Sequence, residues 1–123
     1  MMILVDTSIW IDHLRRGDGR LVQLLDRCEV AMHPFVVGEL LLGNVKITRM
    51  IDDLNALPKA SVASDAEVLQ FIAERKLPGS GIGYIDAHLL AATALTPETT
   101  IWTRVKRLLA VARSLSLAAE IGE

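Results

Sequence analysis

The apolar positions of this chain change period several times, and each change marks an element. Met2–Val5 is apolar without alternation and includes β-branched Ile3 and Val5, the pattern of a strand buried on both faces of a parallel sheet. The run stops at Asp6. Thr7 and Ser8 are cap-type residues, and Ile9, Trp10 and Leu14 follow at helical spacing, so the segment reads strand, carboxylate, turn, helix. The stretch RRGDG that begins at Arg15 is a turn, after which Leu21, Leu24 and Leu25 restore a helical period to about Arg27. Residues 29–33 predict a short second strand. Pro34 suits the first turn of a helix carried by residues 35–42 and ended by Gly43-Asn44.

Further on, Ile47, Ile51 and Leu54 share one face of a helix expected over residues 47–57 and stopped by Pro58. Residues 61–63 read as a brief extended piece, and Ser64 or Asp65 caps a helix over 66–75. The segment LPGSGIG, 77–83, is the most loop-like in the chain. It lacks the GKS or GKT ending and a strong preceding strand, so it is a weak match to a phosphate loop. Behind it come an almost wholly apolar helix over Tyr84–Leu95, a strand over 99–103 and a last helix over 106–117. Strands alternating with helices imply an α/β sandwich on a parallel sheet. No internal repeat, low-complexity tract or linker interrupts the pattern, which predicts a single domain over residues 1–123.

Composition narrows this picture in three ways. At 51% apolar residues and a mean hydropathy of +0.37, a chain of 123 residues has limited interior for its apolar surface, and some of it is expected in a subunit contact. No stretch approaches the ~18 consecutive apolar residues of a membrane span, and the N-terminal run has no basic flank and breaks at Asp6, so the chain reads as cytoplasmic. One cysteine, Cys28, excludes an internal disulfide and a cysteine zinc site, and is expected to be a small buried or boundary residue. A net charge of −2 argues against indiscriminate nucleic-acid binding without excluding local basic patches.

The candidate chemistry lies in three acids. Asp6 ends an apolar strand, Glu39 is the lone charge in FVVGELLLG, and Asp86 is the lone acid in GYIDAHLLAATAL. An embedded carboxylate costs several kcal/mol unless it is paired or coordinates a metal. Each acid has an ordinary reading by itself: a helix cap for Asp6, a solvent-facing helix position for Glu39, a response to the helix dipole for Asp86. Taken together, they fit a hard divalent cation, which relieves mutual repulsion and prefers oxygen ligands.

The ordered set ILVDTSIWID, Gly38-Glu39-Leu40, Tyr84-Ile85-Asp86-Ala87 and Ile101-Trp102-Thr103-Arg104 resembles the PIN domain, specifically the VapC-type toxin ribonucleases of bacterial toxin–antitoxin pairs. The resemblance covers essentially the whole chain. It implies a PIN-like α/β/α sandwich whose central parallel sheet carries an acidic site at the C-terminal edge of its strands. It further implies a Mg²⁺- or Mn²⁺-dependent endoribonuclease acting on RNA, usually a homodimer, held inactive by a small VapB-type antitoxin. Matched by position, Asp6, Glu39 and Asp86 would be the metal-binding acids of the catalytic site. Ser8 and Thr103 match positions that orient the acids or water, with helix cap and strand-end hydroxyl as their plainer roles.

The match breaks after the last strand. Where the family pattern has a fourth acid, this chain has Val105, and Arg107 stands where a further one would fall. Glu98 precedes that strand and would lie about 15 Å from its far end at ~3.3 Å per residue. Cleavage is therefore expected to be attenuated, and a catalytically weak PIN module that acts mainly by binding its antitoxin is the alternative. A haloacid dehalogenase-type phosphatase also begins with a strand ending in Asp, but it wants a second Asp where this chain has Ser8. Arg15, Arg16, Arg20, Arg104, Lys106 and Arg107 could contact RNA phosphates, although solvated charge is the commoner explanation. Trp10 and Trp102 are expected in packing rather than base stacking. His13, His33 and His88 read as structural, and Asp12, Asp52 and Asp53 as solvent-facing.

Overall fold

The computed structural model describes residues 1–43 and 45–121. Asn44, expected to help end a helix, lies outside the described residues. Three parallel strands form the sheet: β1 (Met2–Val5), β2 (Val30–Ala31) and β3 (Thr99–Trp102), in the order β2-β1-β3. Ile3 pairs with Val30 on one side of β1, and Leu4 with Ile101 on the other. Leu4, Val5 and Ile101 are completely buried, which is why these strands lack polar alternation.

Helices flank the sheet. α1 (Thr7–Arg16) follows β1 directly, with Asp6 as its N-cap. α2 (Gly19–Asp26) is capped by Asp18, α3 (Pro34–Gly43) follows β2, and a 3-10 turn spans Val45–Arg49. α4 (Ile51–Asn55) is short. α5 (Asp65–Glu74) opens on a capping box: the Glu67 N–H donates to Ser64 Oγ at 3.1 Å, and the Ser64 N–H to Glu67 Oε1 at 2.9 Å. Ser64 is thus the cap. α6 (Tyr84–Leu95) packs on β3 and α5, and α7 (Lys106–Ser114) follows β3.

Four expectations are corrected. Residues 47–57 do not make one helix, because the chain breaks at Met50 (φ −105°, ψ 0°). Ile47, Thr48 and Ile51 are β-branched and lose side-chain freedom in a helix, whereas Asp52 and Asp53 favour a helix start, where they lie in α4. The last helix stops at Ser114, with Ser116 left-handed (φ 58°) and the Leu117 N–H reaching Ala112 O at 2.8 Å. That turn releases 117–119 to the sheet edge, where Ile101 pairs with Ala118. On the opposite edge Met32 pairs with Lys59, so the extended contact falls before residues 61–63. Finally, Cys28 is exposed rather than buried or at a boundary, because it closes α2 in a left-handed turn (φ 58°).

Candidate metal site and its hydroxyl scaffold

The chain leaves β1 for β2 on one side and then crosses to β3 on the other, so the strand order switches between β1 and β3, and the C-terminal ends of strands at such a switch are the usual place for a site in an open α/β sheet. Asp6 leaves β1 at this point and Thr103 leaves β3. Asp6 is only 4% exposed. Its Oδ2 accepts from Thr103 Oγ1 at 2.7 Å and from Ser8 Oγ at 2.8 Å, with the Ser8 N–H at 3.4 Å.

Both hydroxyls are themselves directed. Thr103 Oγ1 accepts the Val105 N–H and Ser8 Oγ accepts the Arg104 N–H, each at 3.1 Å. Each hydroxyl oxygen is thereby occupied as an acceptor, and its proton is turned toward Asp6. These bonds engage Oδ2 alone. The ordinary cap reading of Asp6 is therefore also true, since the carboxylate is at once a helix cap and the centre of a hydroxyl cluster.

Glu39 comes from the middle of α3, where its Oε1 accepts from Thr7 Oγ1 at 2.8 Å. It lines two hollows. One, of about 320 Å³, is shared with Ile11, Leu14 and Arg15, and the other, of about 400 Å³, with Phe35, Leu42, Tyr84 and Ile85. Asp86 lies in the first turn of α6, whose N-cap Gly83 offers no side chain to the helix end. Burial, then the charges of Asp6 and Glu39, push the Asp86 carboxyl above its ordinary value, against a backbone hydrogen bond at Gly83 that lowers it. The fold thus brings the three acids within electrostatic reach of one another at one sheet edge.

Among the described residues, no group of three or more His, Cys, Asp or Glu stands as a ready cage for a metal ion. The donor chemistry nevertheless fits a hard cation: the three groups offer oxygen alone, and the crowding of negative charge felt by Asp86 is what such an ion relieves.

Val105 is the N-cap residue of α7, 42% exposed at the rim, with no side-chain bond to the helix end. Glu98 lies at the opposite end of β3, its carbonyl accepting from the Met2 N–H at 2.9 Å, so it cannot supply a replacement ligand. The basic residues separate. Arg104 is committed to Asp12 and Asp18, and Arg20 also reaches Asp18 at 3.3 Å. Arg107 remains at the surface beside the glycine loop, with Nη1 3.5 Å from Gly81 O.

Asp12 is accordingly a half-buried ion-pair partner rather than solvent-facing, whereas Asp52 and Asp53 are exposed as expected. Asp18 was missed. Burial would raise its carboxyl, but hydrogen bonds from Arg104, Arg20 and the Arg20 and Leu21 N–H groups outweigh that and hold it far below the usual range. A short acid flanked by glycines looks like a turn residue, and its distant partner Arg104 is invisible locally.

Trp10 and Trp102 are buried in the core, as are His33 and His88. His33 Nδ1 accepts from the Phe35 N–H at 3.0 Å, and burial together with the charge of His88 lowers its pKa to about 4, so it is neutral and structural.

Parallel strands between helices, with acids gathered at the C-terminal edge, define a PIN-like α/β protein. No protein-family model matches the chain. Ribonuclease VapC32 of Mycobacterium tuberculosis, in strain CDC 1551 / Oshkosh and in strain ATCC 25618 / H37Rv, is 46% identical over 123 residues, covering 98% of this chain and 99% of the relative. The chain belongs to the VapC family of PIN-domain toxin ribonucleases.

Proposed function

We propose that this chain is a Mg²⁺- or Mn²⁺-dependent endoribonuclease, the toxin of a cytoplasmic toxin–antitoxin pair, with Asp6, Glu39 and Asp86 as its metal-binding acids. The observation that carries the reading is that Asp6 after β1, Glu39 on α3 and Asp86 on α6 lie within electrostatic reach of one another at the C-terminal edge of the sheet. Bound by these acids, a divalent cation supplies charge for water activation and for the leaving oxygen of a phosphodiester.

The remaining work belongs to the chain itself. Ser8 and Thr103 fix the orientation of Asp6 by donating to Oδ2. Thr7 orients Glu39. Asp86 holds a proton more readily than an ordinary aspartate and surrenders it when positive charge arrives. Arg15, which shares a hollow with Glu39, and Arg107, beside Gly81, offer guanidinium groups to RNA phosphates. The resemblance to VapC32 supports RNA as substrate and a small VapB-type antitoxin as partner. Exposed Leu42, Tyr84 and Ile85 around the larger hollow support a homodimer.

The test is cleavage of an RNA with exposed loops under Mn²⁺ titration, comparing the unaltered chain with Asp6→Asn and Val105→Asp. Metal-dependent cleavage that Asp6→Asn abolishes and Val105→Asp accelerates is the expected result. Val105 also favours a second reading, a weakly catalytic module that acts by binding its antitoxin. Retained divalent-ion binding with no cleavage by any variant would establish it instead.

A further inference from the structure

Arg104 follows Thr103 on the turn that leaves β3, and it touches α1 at two points one helical turn apart. Its backbone N–H donates to Ser8 Oγ at 3.1 Å, and its Nη1 reaches Asp12 Oδ2. Residues 8 and 12 share a helix face, so Arg104 lies along a ridge of α1. Its Nη2 reaches Asp18 Oδ2, on the N-cap of α2, at 2.6 Å. The guanidinium also stands 5.8 Å from the centroid of the Trp102 ring, within cation–π range. One side chain therefore ties the turn after β3 to α1, to the start of α2 and to the ring before it. A planar fork satisfies two carboxylates in fixed directions, which an ammonium cannot do.

We propose that Arg104 is a positioning residue, fastening the turn at 103–105 along α1 so that the Ser8 and Thr103 hydroxyls converge on Asp6. This inference rests on the reading of Asp6 as a metal ligand. Without the fastening, the Val105 and Arg104 N–H groups that direct the two hydroxyls lose their fixed places, and Asp6 loses its orientation. Arg104 acts at a distance from the substrate, through the turn.

The sign of its effect on metal binding sets this role apart from simple charge. Removing a cation near an acidic site strengthens its attraction for Mn²⁺ by Coulomb's law, whereas losing the orientation of a ligand weakens it, typically 10–100-fold for groups that hold ligands in place. Mn²⁺ affinity, read from the electron paramagnetic resonance of the free ion, is measured for the unaltered chain, Arg104→Ala, Arg104→Lys, Asp12→Asn and Asp6→Asn. Arg113→Ala, at an exposed pair with Glu120, serves as the charge control.

The expected result is a loss of about tenfold in Mn²⁺ affinity for Arg104→Ala. Smaller losses in the same direction are expected for Arg104→Lys and Asp12→Asn, and none for Arg113→Ala. In RNA cleavage, kcat should fall while KM is kept. Unchanged or tighter Mn²⁺ binding in Arg104→Ala, or a rise in KM alone, overturns the proposal. Should Arg104→Ala not fold, unchanged affinity in both Arg104→Lys and Asp12→Asn overturns it equally. If Asp6→Asn binds Mn²⁺ as tightly as the unaltered chain, the metal reading falls and the proposal with it. If Asp6→Asn loses the ion while the Arg104 variants keep it, only the proposal falls.

Discussion

Asp86 shows how a single residue can be placed against the interest of the fold. Its carboxyl is pushed up by burial and by the charges of Asp6 and Glu39, so the folded chain favours the protonated form more than the unfolded chain does. The associated stability is fully present in acid and is lost as pH rises through the raised value. Asp86→Asn, which stays neutral, should melt with the unaltered chain in acid and several degrees above it at neutral pH when divalent ions are chelated. Adding Mn²⁺ should raise the melting temperature of the unaltered chain by mass action and leave the variant unmoved. Melting curves at the two pH values, with and without Mn²⁺, check both statements. A variant less stable than the parent at neutral pH would contradict the account of crowded charge. All three acids stood out in the sequence because each is a lone charge among apolar residues. Asp18 did not, because its value depends on Arg104, which is 86 residues away.

At the scale of the element, Val105 joins two roles that the sequence presented as one. It stands where the family pattern has an acid, and it is also the N-cap of α7, with no side-chain bond to the helix end. Exchanging an aliphatic N-cap for Asn or Asp is worth about 1 kcal/mol of helix stability. Val105→Asn should therefore raise the melting temperature without accelerating RNA cleavage, while Val105→Asp should accelerate cleavage. Parallel melts and cleavage rates separate the cap from the ligand, and equal acceleration by Asn would assign the gain to the helix end instead. Helix ends were also where the pattern misled most. α2, α5 and α7 all close through left-handed residues that are not glycine: Cys28, Lys76 and Ser116. Helix C-termini are signalled chiefly by glycine, so a helix that stops at Ser114 and turns at Ser116 reads as continuing to Leu117.

Across the whole molecule, apolar surface exceeds what a small interior can hide. Leu42 is 91% exposed at the end of α3, beside Tyr84 and Ile85 on α6, around a hollow of about 400 Å³ that Glu39 also lines. A homodimer covering this face would bring apolar burial close to the acids. Leu42→Glu leaves the core untouched and should convert a dimer into a monomer in sedimentation equilibrium. A parent chain that sediments as a monomer would remove the basis for the dimer. The sheet likewise gains two edge contacts, Met32 with Lys59 and Ile101 with Ala118, that no local pattern announced.

Periodicity and capping chemistry are local, and the sequence by itself determined what is local: the strand at Met2–Val5, the helices after Asp6 and from Tyr84, the parallel α/β class and the three acids set in apolar surroundings. Burial and pairing between distant segments are not local. Only the tertiary structure decided that Thr103 donates to the same oxygen of Asp6 that its neighbour Ser8 reaches, that Arg104 is committed to Asp12 and Asp18, and that the chain after Ser116 returns to the sheet. Each of these contacts joins residues brought together by the strand order β2-β1-β3 or by a turn in a conformation that L-residues rarely adopt, and a one-dimensional pattern carries neither.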